Sequence, residues 1–135
     1  MAVPASEVPT RGCRILLVED DASIAEMYAS MLRVHGHAVR VEVDGAAGLR
    51  AAAETEFDLV LLDIRLPLID GIQVLTELLG NERTSGWPIV MLTNYDDPAL
   101  RSMAHAAGAR DYLIKSRVMP RQLAELVVEW VTSCA

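Results

Sequence analysis

Five short hydrophobic runs alternate with helix-period segments along this chain, and that alternation restricts the fold more than any other feature. The runs are Ile15-Leu16-Leu17-Val18, Ala38 to Val43, Phe57 to Leu62, Pro88 to Leu92, and a last one at about 111–114. Strands separated by helices cannot pair as tight hairpins. They need crossover connections, which give a parallel sheet covered on both faces.

The intervening segments support this. Ile24, Met27, Tyr28, Met31 and Leu32 recur at spacings of three and four and predict an amphipathic helix ending near Gly36. The second run sets Val39, Val41 and Val43 against Arg40 and Glu42, the pattern of a half-exposed edge strand. Asp44 caps an Ala-rich helix running to about Glu54. The third run is apolar on both faces after Asp58, as a central strand requires. Pro67 and Asp70-Gly71 read as a turn, and Ile72, Leu75, Leu78 and Leu79 start a third helix. A loop over 81–87 leads to the fourth strand, which ends in Thr93. Asp97-Pro98 reads as an N-cap and first helical residue. Leu100, Met103, Ala104 and Ala107 continue that helix to Gly108, and a last one begins near Pro120 and buries Leu123, Leu126, Val127 and Trp130. Met27, Met31, Met91 and Met103 fall at core spacing, while His35, His37 and His105 read as surface or helix-end residues.

At 135 residues this is one domain. Although 52% of the chain is hydrophobic, no run approaches the roughly 18 apolar residues of a membrane span. Residues 1–12 hold Pro4, Pro9 and Gly12 without the apolar stretch of a signal peptide, so they read as a loose tail before a domain over 13–135. Cys13 and Cys134, near opposite ends, suggest a reducing compartment rather than a disulfide. A net charge of −7 without a Lys/Arg cluster disfavours direct nucleic-acid binding by this chain.

Three of the runs end in polar residues: Glu19-Asp20-Asp21, Asp63 and Lys115. Open parallel sheets bind ligands beyond the carboxyl ends of their strands, so these residues converge. Glu19, Asp20 and Asp63 would repel one another; Lys115 offsets one charge and a divalent cation offsets the other two. Mg²⁺ suits an all-oxygen site and keeps waters for a phosphate. No Cys/His spacing fits zinc. One carboxylate can then attack phosphorus and become an acyl phosphate. Asp63 is the candidate because it ends the central strand, with Lys115, the Thr93 hydroxyl and Mg²⁺ in reach of the transferred oxygens. Asp21 reads equally as an N-cap or as part of the metal set.

The chain resembles the receiver domain of bacterial two-component response regulators over residues 13–133. The matching motifs are Ile15-Leu16-Leu17-Val18-Glu19-Asp20-Asp21, Leu61-Leu62-Asp63-Ile64-Arg65-Leu66-Pro67-Leu68-Ile69-Asp70-Gly71, Val90-Met91-Leu92-Thr93 and Asp111-Tyr112-Leu113-Ile114-Lys115. The resemblance implies a flavodoxin-like, doubly wound three-layer α/β sandwich with a five-stranded parallel sheet in the order 2-1-3-4-5. It implies that Asp63 accepts the phosphoryl group. Asp20 would ligate Mg²⁺ directly, Glu19 through water, and Arg65 through its backbone carbonyl. Thr93 and Lys115 would bind phosphoryl oxygens, and Thr93 and Tyr112 would form a switch read out on helix 4, strand 5 and helix 5. The implied partners are a sensor histidine kinase or histidine phosphotransfer protein, and a downstream protein or an output domain outside this chain. A phosphorylation-dependent homodimer is a further implied state. The implied location is the cytoplasm, with no membrane association. The implied role is a signalling module, not an enzyme, that assists its own phosphorylation and autodephosphorylation.

Four positions depart from the family pattern. Ser116 stands where proline commonly follows the lysine, and Asn94 where a small residue is usual. Arg65 and Tyr95, two residues beyond Asp63 and Thr93, are both large and flank the path of the hydrolytic water. A haloacid-dehalogenase-type phosphatase is disfavoured because Arg65 stands where a second aspartate is needed. A dinucleotide-binding enzyme is disfavoured because Glu19-Asp20-Asp21 replaces the glycines. A pseudo-receiver that binds partners without phosphorylation, or a fragment of a longer transcriptional regulator, are the remaining alternatives.

Overall fold

The computed structural model describes residues 12–132 and Cys134. The strands are β1 (Arg14–Val18), β2 (Ala38–Glu42), β3 (Leu59–Leu62), β4 (Ile89–Thr93) and β5 (Asp111–Ile114). They alternate with helices α1 (Ala22–Val34), α2 (Gly45–Glu54), α3 (Gly71–Leu79), α4 (Pro98–Ala107) and α5 (Pro120–Trp130). The sheet is parallel throughout, in the order β2-β1-β3-β4-β5. The order, the edge position of β2 and the central position of β3 match the expectation. The loose-tail reading of residues 1–12 lies outside the described residues except at Gly12.

Period-two alternation along the strands divides the core into two layers. Ile15, Leu17, Leu59, Leu61, Val90 and Leu92 face α1 and α5, where they meet Ala25, Tyr28, Leu32, Leu123 and Val127. Leu16, Val18, Val60, Leu62, Ile89 and Met91 face the other way and meet Ala51, Val74, Leu75, Leu78 and Ala104 of α2, α3 and α4. β3 is buried at every position, which is why its sequence does not alternate in polarity. Each such leucine contributes about 1.5–3 kcal/mol by leaving water.

The helix starts follow from caps. Asp21 accepts from the Ser23 and Ile24 amides, Asp44 from Ala47, Asp70 from Gln73 and Asp97 from Ala99. Each satisfies amides that the first helical turn leaves open. Gly108 stops α4 in a left-handed conformation at φ 104°. Among the described residues no helix is long and apolar enough to cross a membrane.

Three expectations are corrected. Met27 and Met103 lie at core spacing but are about half exposed, because the buried stripes run through Ala25, Tyr28, Ala29 and Leu32 of α1 and Ala104 of α4 and leave both methionines at the margin. His37 is buried rather than superficial. Its Nδ1 accepts from the Cys13 amide at 2.9 Å, and burial followed by the nearby His35 lowers its pKa. Finally, Cys13 and Cys134 are joined in a disulfide. In sequence they are remote; in space α5 returns along the sheet and ends beside the start of β1. The distance along the chain hid that adjacency.

Candidate functional site

Register places the acidic residues together. Val18 pairs with Leu62, so Glu19 and Asp63 follow on neighbouring strand ends. The Asp63 amide donates to the Val18 carbonyl at 3.1 Å, and the Glu19 amide to that of Glu42 at 3.0 Å. Carboxylate oxygens of Glu19, Asp20 and Asp63 all lie within 4.8 Å of one another. Glu19 and Asp63 are buried and Asp20 is exposed at the mouth. Asp21 is not in this set; its side chain caps α1.

Lys115 reaches in from the end of β5. Its Nζ donates to Asp63 Oδ2 at 2.9 Å and also to Glu19 Oε1. Burial alone would lower its pKa, but the hydrogen bonds to Glu19 and Asp63 outweigh that and hold it above its ordinary value. Glu19 is pushed up to about 7. Burial is the main cause and Asp63 adds to it, against the opposing Lys115 ammonium. One buried ammonium facing two buried carboxylates leaves negative charge uncompensated, before Asp20 is counted. The crevice is therefore suited to a hard cation: its donors are carboxylate oxygens, and it carries the charge a divalent ion would neutralise. The Arg65 carbonyl was expected to complete the set; the Arg65 amide donates to Asp63 Oδ1 at 3.3 Å, which keeps that residue beside the crevice.

Thr93 ends β4, fully buried, and its Oγ1 accepts from the Tyr95 amide at 3.2 Å. Thr93 pairs with Ile114, the residue before Lys115. Tyr112 is buried with its hydroxyl donating to the Tyr95 carbonyl at 2.8 Å. Burial raises its pKa above the usual phenol value. The structure thus brings together Glu19, Asp20, Asp63 and Lys115, and links Thr93 to Tyr112 through Tyr95.

Several contributors had weak or no sequence signals. Tyr28 falls at core spacing on α1, yet its hydroxyl donates to the Val118 carbonyl at 3.3 Å and lies 3.5 Å from that of Lys115. It braces the loop that carries the lysine. A buried tyrosine needs a partner for its hydroxyl, which was the available signal. Arg101 stacks on the Tyr112 ring at 4.7 Å, and Arg65 on the Tyr95 ring at 4.7 Å. Gly71, expected to serve turn chemistry alone, also passes the backbone of Asp63 so closely that a Cβ there would lie 2.0 Å from its carbonyl oxygen. Leu68 adopts φ 71° and is exposed, so the β3–α3 loop holds a left-handed residue that is not glycine. Ser116 lies within a 3-10 turn, Lys115–Arg117, that continues from β5.

A cleft of about 830 Å³ opens from the mouth of the site, lined by Asp20, Arg65, Pro67, Asp70, Leu100 and Met103 among others. Asp20, at the exposed edge of the acidic cluster, forms part of its wall.

Comparison with known proteins places the site in context. The family described as "Response regulator receiver domain" matches residues 15–127. The DNA-binding response regulator MtrA of Mycobacterium tuberculosis (strain ATCC 25618 / H37Rv) is 45% identical over 102 residues, which is 76% of this chain and 43% of that protein. The DNA-binding dual master transcriptional regulator RpaA of Synechocystis is 34% identical over 113 residues, 84% of this chain and 47% of that protein. The chain therefore spans less than half the length of these relatives. Among solved structures, the chemotaxis response regulator CheY4 of Vibrio cholerae superposes with a TM-score of 0.83 at 26% identity, covering 89% of this chain and 99% of that one. A CheY-like receiver domain protein from Methanospirillum hungatei gives 0.81 at 30% identity, covering 87% and 92%. With the fold, the strand-end carboxylates and the family match in agreement, this chain belongs to the response regulator receiver domain family.

Proposed function

We propose that this chain is a phosphoacceptor whose Asp63 receives a phosphoryl group from a histidine kinase or histidine phosphotransfer protein. One observation carries the reading: Asp63 ends the central strand within 4.8 Å of the Glu19 and Asp20 oxygens and 2.9 Å from the Lys115 ammonium. An Asp63 oxygen attacks phosphorus, the donor imidazole leaves, and an acyl phosphate remains. Lys115 turns from Asp63 Oδ2 toward the added oxygens, and the Thr93 hydroxyl, no longer held by the Tyr95 amide, donates to another. Glu19, Asp20, Asp63 and the Arg65 carbonyl would hold Mg²⁺. Bound there, the ion supplies charge neutralisation and orientation for the transferred group.

Tyr112 is the switch residue in this reading. Its hydroxyl rests on the Tyr95 carbonyl, so any shift of the 93–95 backbone on phosphorylation moves it. Arg101 on α4 rides on its ring, which extends the change to the face made by α4, β5 and α5. A downstream protein, an output domain or a second copy of the chain would read that face. The length of the matched relatives favours an output domain in the whole protein. The module works in the cytoplasm as a signalling component rather than as an enzyme with a turnover substrate.

The test is intact mass after incubation with acetyl phosphate, with and without Mg²⁺, for wild type and Asp63→Asn. A Mg²⁺-dependent gain of one phosphoryl group in the wild type alone is expected. Failure of both acetyl phosphate and a histidine-phosphorylated donor to modify the wild type would overturn the reading.

A further inference from the structure

Asp63 and the disulfide lie at opposite ends of the sheet. Cys13 precedes β1, whose far end delivers Glu19, and Cys134 follows α5, which begins shortly after Lys115. We propose that Cys13 and Cys134 are a reversible redox pair that clasps the end of α5 to the base of β1, oxidised and reduced by exchange with a low-molecular-weight disulfide and its thiol.

The geometry prepares the pair. The two Cα atoms are 5.1 Å apart, within the range a disulfide spans without moving the backbone. Cys13 is held on its own side: its amide donates to His37 Nδ1 and its carbonyl accepts from the Ala38 amide at 2.9 Å. Gly12 before it passes the Gly36 carbonyl at φ 77°, so closely that a Cβ would lie 2.2 Å from that oxygen. On the other side the end of α5 is tied down by Trp130. Its Nε1 donates to Asp111 Oδ2 at 3.2 Å, and its carbonyl accepts from Arg110 at 3.3 Å. Both sulfurs sit in the layer formed with Leu32, Val127 and Val131.

The chemistry balances. The thiolate of one cysteine attacks a small disulfide RSSR and expels one RS⁻, leaving a mixed disulfide. The second cysteine's thiolate attacks the protein sulfur of that mixed disulfide, forms the Cys13–Cys134 bond and expels the second RS⁻. Two protein thiols are oxidised, RSSR is reduced to two RSH, and the two cysteine protons end on those thiols. Reversibility rests on the cytoplasmic part of the proposed function, because disulfides in that compartment are characteristically transient or redox-sensing. Both cysteines are buried, so exchange passes through local release of the C-terminal end of α5 from β1.

Oxidation closes a loop across a separation of 121 residues, nearly the whole chain, and restricts the unfolded state accordingly. It also fixes the far end of α5, one wall of the face assigned to output.

The experiment equilibrates the wild-type chain in buffers of varied oxidised to reduced glutathione ratio, alkylates free thiols and reads intact mass. Expected is one transition between species with no alkyl group and with two. Two free thiols at every ratio, a disulfide that survives the most reducing buffer, or glutathione adducts in place of the internal bond would each overturn the proposal. Thermal unfolding of the oxidised and reduced forms then tests the clasp. Reduction should lower Tm by on the order of 10 °C, and Cys134→Ala, which cannot close the bond, should show no form with the Tm of the oxidised wild type at any ratio. Equal Tm for oxidised and reduced wild type would overturn it. These readouts involve neither Asp63 nor phosphate, so they stand or fall separately from the phosphoacceptor reading.

Discussion

The guanidinium carbon of Arg65 sits 4.7 Å from the centroid of the Tyr95 ring. The residues two places beyond Asp63 and Thr93 therefore close on each other beside the acidic crevice. In the phosphorylated chain this stack would narrow the approach of water to the acyl phosphate. A half-exposed cation–π contact is worth about 0.5–1 kcal/mol, so Arg65→Ala and Tyr95→Ala should each shorten the phosphoryl lifetime by about 2- to 5-fold. Because they break one contact, the double variant should decay little faster than the quicker single one. Decay of the phosphorylated mass with time measures this, and an unchanged lifetime in both single variants would sink the idea.

Charge crowding sets a second expectation. Asp63 raises the Glu19 pKa by facing it, and Lys115 serves both carboxylates. Without divalent cations, Asp63→Asn should stabilise the fold by about 1–2 kcal/mol, since one of two repelling buried carboxylates is gone. Lys115→Ala should do the reverse and cost about 3 kcal/mol or more, leaving two buried carboxylates without their ammonium. Urea unfolding of the three proteins decides; an Asp63→Asn variant less stable than wild type would contradict the account.

How far the sequence foretold this structure varied with the kind of interaction. Strand order came through the motif resemblance, and the burial of β3 was visible in its unbroken apolar run. The cluster of Glu19, Asp63 and Lys115 was legible because parallel strands align their carboxyl ends whatever the helices between them do. Contacts made by side chains across elements were not legible. Nothing in the order of residues places Arg101 over Tyr112, or Tyr28 under Val118, because both depend on how α4 and α1 rotate on the sheet. The cysteines show the same limit: spacing argued against a bond that the return of α5 to the foot of β1 brings about. Met27 and Met103 show it too, since a helical stripe wider than the buried strip leaves its margin in water.

Acid dependence follows from Glu19. Its folded-state pKa is raised to about 7 from 4.5, first by burial. Below about pH 4.5 both folded and unfolded chains hold the proton, and this group's favourable contribution is complete. As pH rises the unfolded chain releases the proton first, so stability falls until the folded-state pKa is passed at about 7, then levels off. A divalent cation needs the carboxylate form. Mg²⁺ should therefore raise stability at about pH 8 and do little at about pH 5. Urea midpoints at several pH values, with and without millimolar Mg²⁺, test both halves. A Mg²⁺ effect that is larger at the acid end would refute the assignment of Glu19 to the cation.

Gly71 offers the sharpest steric test. A Cβ there would meet the Asp63 carbonyl oxygen at 2.0 Å, the Ile64 Cα at 2.7 Å and the Asp63 carbonyl carbon at 2.8 Å. All three are backbone atoms, so no rotamer change relieves the clash. The Gly71 amide also donates to the Ile64 carbonyl at 2.7 Å, which pins the start of α3 against the end of β3. Gly71→Ala should cost about 2–3 kcal/mol and slow phosphorylation from acetyl phosphate by displacing Asp63 from Lys115. Gly86→Ala is the control: a Cβ there meets nothing within 4 Å, and stability should stay within about 0.5 kcal/mol of wild type. If Gly71→Ala matched the control in both stability and phosphorylation rate, the close approach of α3 to Asp63 would play no part in positioning that residue.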